Sequence, residues 1–191
     1  MENETTPRRA FMKKSLVLSA ALTLGSTLLQ TLNAEAATDY VAGSPTASNE
    51  KEFRMGVIGP AELSLATSQI AVNKATNKNT KEFAGFELGE ALAVTGVLKD
   101  LGTPVPAMDA KAKATLAKIK STPAGPEFDK AYIQAQLENH EFLRDLAQSY
   151  LSKGKMAGAA ENQGRHLATL SLAVFKEHVA ITSRILKELG A

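Results

Sequence analysis

Cysteine is missing from the 191 residues, and so is tryptophan. Without thiols the chain has no disulfide, thiolate metal site, iron–sulfur cluster or covalently attached c-type haem, so any metal it holds must take nitrogen and oxygen ligands. Charge of one sign is scarcely in excess, with 22 basic residues against 20 acidic ones and a net of +2. That balance offers no basic footprint for nucleic acid and no polyacidic tail. No phosphate-cradling glycine loop, dinucleotide fingerprint or Ser/His/Asp arrangement occurs either, which removes nucleotide enzymes and serine hydrolases from the reading.

What is present begins with an export signal. Residues 1–36 carry basic Arg8, Arg9, Lys13 and Lys14, then an apolar run from Ser15 to Leu32, then Ala34-Glu35-Ala36 as a small-x-small site with cleavage after Ala36. The segment Arg8-Arg9-Ala10-Phe11-Met12-Lys13 resembles the twin-arginine motif. That resemblance implies export in a folded state to the periplasm or cell envelope. An ordinary secretory signal and an uncleaved N-terminal anchor are the alternatives, and membrane attachment would arise only through this segment if it stays uncleaved.

Residues 37–49 read as a flexible mature N-terminus, and 50–191 as one all-α domain. Asn49 and Glu52 have the spacing of a capping box and start a first helix that runs to about Ala75, with a kink or restart expected at Gly59-Pro60. Asn79 and Glu82 predict a second helix to Leu101, with a seam of Ala84, Glu87, Ala91, Val94, Leu98 and Leu101. A connection from Gly102 to Pro126 carries a short lysine-rich helix, Asp109 to Lys120. Its length lets the helices it joins run parallel. A third long helix starts at Pro126 and stops at Gly154, and a Gly/Ala-rich loop leads to a fourth, Arg165 to Leu189. The fold expected is a ferritin-like four-helix bundle with one long crossover carrying a short helix.

Each long helix places an ionisable residue near mid-length on or beside its apolar face. In the third helix His140 interrupts a stripe of Ile133, Leu137, Leu143, Ala147 and Leu151. In the fourth, His178 occupies the seam of Leu167, Leu170, Val174, Ile181, Ile185 and Leu189, while His166 reads as surface. Glu87 sits inside the second seam with Glu90 on the same side, and Glu62 lies just past Pro60 in the first helix. Buried charges need partners. Two imidazoles and two or three carboxylates in one layer would form a first shell for Fe, Mn or Zn; the other reading is a buried polar layer in which His and Glu satisfy one another without metal.

The pattern Ala61-Glu62…Ala66, Lys81-x-Phe83-Ala84, Phe128-Asp129-Lys130-Ala131-Tyr132 with His140 eight residues on, and His178 resembles the bacterial domain of unknown function 4142 family. The resemblance spans about Glu52 to Leu186 and is most specific in FDKAYIQAQLENH. It implies an exported ferritin-like bundle of unestablished role. The sequence departs from the family where an Asp-His pair is usual in the second helix, having Glu90-Ala91 instead, and it lacks the paired Glu-x-x-His of di-iron bundles. Three functions stand open: a protein binding a single metal through Glu62, Glu87, Glu90, His140 and His178, a metal-dependent enzyme acting on peroxide or superoxide, and a metal-free envelope stress or interaction module. No protein partner is identifiable from the residues.

Overall fold

The computed structural model describes residues 45–153 and 158–191. The export signal with Arg8, Arg9 and the Ala36 cleavage site, and the Gly154 helix stop, lie outside the described residues. Five helices follow in order: α1 (Glu50–Lys74), α2 (Lys78–Asp100), α3 (Ala110–Ser121), α4 (Pro126–Lys153) and α5 (Gly158–Glu188). There is no strand among the described residues, and no described helix is long and apolar enough to cross a membrane.

The helix ends follow from local chemistry. Asn49 Oδ1 accepts from the Glu52 N–H at 2.9 Å, and the Glu52 carboxylate reaches back to the Ser48 N–H at 2.7 Å. The restart allowed for at Gly59-Pro60 does not occur, and α1 continues through Pro60. The proline costs the helix one backbone hydrogen bond, and Gly59 before it has no Cβ to meet the ring. For α2 the cap is Asn77 rather than Asn79: its side chain accepts from the Asn79 and Thr80 N–H groups, while Asn79 donates to Glu188 at 2.6 Å. The turn ahead of α2 is held from α4, where buried Asp129 accepts from the Thr76 N–H, the Thr76 hydroxyl and the Asn77 N–H at 3.0, 2.6 and 2.9 Å. That accounts for the aspartate in FDKAY.

The fourth long helix starts earlier than Arg165, at Gly158. Ala159, Ala160 and Glu161 are good helix formers, and Glu161 has a reason to be placed there. Its carboxylate accepts from the Glu50 N–H at 3.0 Å and from the Tyr150 hydroxyl at 2.7 Å, joining the starts of α1 and α5 to the end of α4.

Contacts between α1 and α4 run from Phe53 stacked on Tyr150 at 5.1 Å to Ser68 bonded to Tyr132 at 2.8 Å, so these helices are antiparallel. The short turn after α1 makes α1/α2 antiparallel, and the contacts Tyr150–Glu161 and His140–His178 make α4/α5 antiparallel, which leaves α2 parallel to α4. A parallel pair needs a long crossover, and α3 fills it, inserting buried Ile119 and receiving the Lys74 ammonium on the Lys120 carbonyl at 3.0 Å. The four long helices are compatible with a bundle of one crossover.

Two apolar clusters divide the interior. One contains Phe53, Val57, Leu98, Leu143, Tyr150 and Phe175; the other contains Phe83, Phe128, Tyr132, Ile133, Ile185 and Leu186. Along every long helix the residues between them are polar: Ser64, Thr67, Glu87, Gln136, His140 and His178. The inward faces of two helices also differ from the expected seams. α1 buries Ala61, Ser64, Thr67, Ser68 and Ala71, and α5 buries Ala168, Phe175, His178, Thr182 and Ile185, leaving Leu170 at 70% exposure and Val174 at 37%.

Candidate metal centre

Glu87 comes from α2 between buried Ala84 and Ala91, whose small side chains leave its carboxylate facing inward. His140 comes from α4 and His178 from α5, and all three residues are at most 5% exposed. Their atoms converge. Glu87 Oε2 lies 3.3 Å from His140 Nε2 and 3.1 Å from His178 Nδ1, and the two ring nitrogens are 3.1 Å apart.

Each ring has its second nitrogen engaged. The Nδ1–H of His140 donates to the Gln136 carbonyl at 2.8 Å, which leaves the lone pair on Nε2 directed at the triangle. The Nε2 of His178 faces the Glu90 carboxylate at 3.2 Å, leaving Nδ1 for the triangle. An imidazole held by a carbonyl or carboxylate on its far side is the usual arrangement of a metal-ligating histidine. Phe83 then sets the ring planes, edge-on to His178 at 5.2 Å and to His140 at 6.3 Å.

The donor set was tested against a metal by two features. Ligands about 2.0–2.2 Å from a tetrahedral ion stand roughly 3.3–3.6 Å from one another, within a few tenths of an ångström of the 3.1, 3.1 and 3.3 Å edges here. Glu87 Oε2 is also a buried atom without an aligned hydrogen bond, although two ring nitrogens lie near it. The two ring nitrogens meet with hydrogen-bond geometry, one donating to the other, and a metal would replace that N–H···N contact. The residues fit a single ion with an N2O donor set.

Electrostatics follow from the same contacts. Burial alone would raise the Glu87 pKa, but the neighbouring His140 and His178 outweigh it and hold the carboxyl at about 2. Burial alone would lower the His178 pKa, but Glu87 and Glu90 outweigh that and push it up to about 9. Without metal, the two carboxylates therefore favour the protonated form of His178. With both imidazoles neutral and both carboxylates ionised, the group carries two negative charges, which one divalent ion cancels.

The structure brings together three of the five candidate residues. Glu90 lies at the rim, its side chain 45% exposed, and reaches the centre only through His178. Glu62 is elsewhere: its carboxylate forms an ion pair with Lys99 at 2.6 Å and borders the cavity under the Pro106–Met108 connection.

Residues that the pattern of apolar seams passed over complete the layer. Gln136 accepts from the Ser64 hydroxyl at 2.9 Å and donates to Thr67 at 3.0 Å, and Asn139 donates to Ser64 at 2.9 Å. Gln136 lies one turn before His140, which was the available signal. Beside the triangle is a cavity of 290 Å³ between α1, α2, α4 and α5, with Glu87 and His140 in its wall.

Comparison with known proteins gives one match. No curated protein and no solved structure matches the chain. The family model for the domain of unknown function DUF4142 matches residues 36–182, the span that contains every residue of the converging group. A match over most of the length, including Glu87, His140 and His178, makes this chain a member of the DUF4142 family.

Proposed function

We propose that this protein is an exported helical protein that holds one divalent transition-metal ion through Glu87, His140 and His178. The observation that carries the reading is the division of labour in the two rings: each offers one nitrogen to Glu87 Oε2 and has the other fixed by Gln136 or Glu90. Two imidazoles and a carboxylate without sulfur suit Fe(II), Mn(II) or Zn(II). Glu90 orients His178 rather than binding the metal. Export by the twin-arginine-like signal is part of the proposal, since such a route carries folded proteins.

A second reading is favoured by the cavity. Three protein ligands leave coordination positions open, and the 290 Å³ space adjoins the ligand atoms, so a redox-active ion there would meet small oxidants such as peroxide or superoxide. A bound ion would supply the electron; the chain supplies the ligand frame and the apolar wall that limits water.

Metal titration followed by calorimetry tests the binding reading. One ion should bind per chain, and at pH 7 its arrival should release about one proton, from His178. Uptake by His140→Ala as strong as wild type would contradict it. Turnover of peroxide or superoxide by Fe- or Mn-loaded protein, absent from the zinc form, would support the second reading.

A further inference from the structure

The cavity beside the converging group differs from the other main cavity among the described residues. That other space, 140 Å³ under the Pro106–Met108 connection, is bordered by Lys111 and Glu138, which pair with each other at 3.4 Å. Glu62, Asp109 and Asn139 also line it, but Glu62 pairs with Lys99 at 2.6 Å, Asp109 caps α3, and no three metal-donor atoms come together there. The 290 Å³ cavity has apolar walls of Val57, Ala61, Val94, Leu143 and Phe175, one or more from each long helix, with Glu87, Glu90 and His140 as its ionisable lining. The Ser64 hydroxyl also borders it but is committed to Gln136 and Asn139. Glu87 Oε2 is the buried side-chain polar atom in that wall left without an aligned hydrogen bond.

An apolar space of about 150 Å³ accepts benzene, so this one has room for a ring with a short substituent. Leu170 and Val174 form the outer edge from α5 and are exposed although large and apolar, which extends the same chemistry to the mouth.

We infer that the cavity is a binding site for a small, uncharged organic molecule with a compact apolar body and a single nitrogen or oxygen donor, the body among Val57, Ala61, Val94, Leu143 and Phe175 and the donor toward Glu87 and His140. For the donor end the inference rests on the metal reading; for the apolar body it rests on the cavity alone. The apolar walls disfavour a charged body, and the carboxylates of Glu87 and Glu90 disfavour an anion.

Imidazole and 4-phenylimidazole are the probes, since they share a donor and differ by an apolar ring. Cobalt(II)-loaded protein is titrated with each while the visible absorption of the metal is followed. The phenyl compound should bind at least roughly tenfold more tightly, and Ala61→Leu, which grows into the cavity, should remove that advantage while leaving cobalt content and imidazole binding unchanged. Val94→Phe, from the half-buried α2 wall, is the second blocking variant if Ala61→Leu does not fold. Equal affinity for the two probes in cobalt-loaded protein overturns the inference and leaves the metal reading standing. Failure to take up cobalt overturns the metal reading instead, and calorimetry of the two probes with metal-free protein then decides the cavity: tight 4-phenylimidazole binding that Ala61→Leu abolishes upholds the site, and no binding overturns it.

Discussion

The buried polar layer has two halves that treat their lone pairs differently. On the α1/α4 side, Ser64, Thr67, Gln136, Asn139, Ser68 and Tyr132 close on one another at 2.8–3.0 Å, each donor aimed at an acceptor. On the α2/α5 side, Glu87, His140 and His178 stand at similar separations, yet Glu87 Oε2 has no aligned donor and a cavity lies beside it. A closed network needs nothing more and fixes how helices meet. An open one stores unsatisfied polar capacity in an apolar surround, which is costly unless something fills it. The first half is architecture, and the second is where function is proposed.

Exchanging single residues should separate the halves. Glu87→Gln keeps the shape of the side chain but removes its charge; metal affinity should fall by at least about a hundredfold, more than loss of an outer partner costs, while helicity by circular dichroism is retained. Gln136→Leu should do the reverse: about 1–3 kcal/mol of stability is lost as Ser64 and Thr67 lose their partner, whereas one ion per chain still binds because His140 bonds to the backbone of residue 136. Denaturant melts and metal titration of the same two variants give both readouts. If Gln136→Leu abolishes binding as fully as Glu87→Gln, the halves are not separable.

A smaller effect is expected at the rim. Glu90→Gln should weaken metal binding about 10- to 100-fold and leave the stoichiometry at saturation unchanged, since it acts through His178. Loss of stoichiometry in that variant would make Glu90 a ligand.

The pH dependence of metal-free protein should be smaller again and have two limbs. Glu87 is held at about 2 in the fold against 4.5 ordinarily, so its contribution is present above about 4.5 and lost as pH falls toward 2. His178 is raised to about 9 from 6.5, so its contribution is complete below about 6.5 and lost as pH rises toward 9. Stability should peak between about pH 4.5 and 6.5, falling by a few kcal/mol at most on either side because both limbs draw on one interaction. Denaturant midpoints across pH check it, and in His178→Leu the alkaline limb should disappear.

Much of this organisation was legible in the chain. His140 and Glu87 interrupt apolar seams, and a buried imidazole or carboxylate needs company. The seams themselves were less reliable where small residues face inward. On α1 the buried face is written in Ala61, Ser64, Thr67 and Ser68, which carry almost no hydrophobic signal, so the residue pattern gives little to show that Glu62 lies off that face. Its partner, Lys99, lies on a different helix with a flexible stem, and no local pattern links the two. On α5 the apolar stripe through Leu170 and Val174 marks the edge of a cavity rather than the core, and His178 is common to both faces. The helix also runs through Pro60, where the preceding glycine, lacking a Cβ, removes one of the local penalties a proline brings.

Elemental analysis by mass spectrometry of the protein purified without chelators or a histidine tag tests the central claim most directly. The account predicts close to one Fe, Mn or Zn per chain, lost together in His140→Ala and His178→Ala. Folded protein that carries no metal and takes none up from micromolar Fe(II), Mn(II) or Zn(II) would contradict it, and the Glu87, His140 and His178 group would then be a second structural layer like the one formed by Gln136.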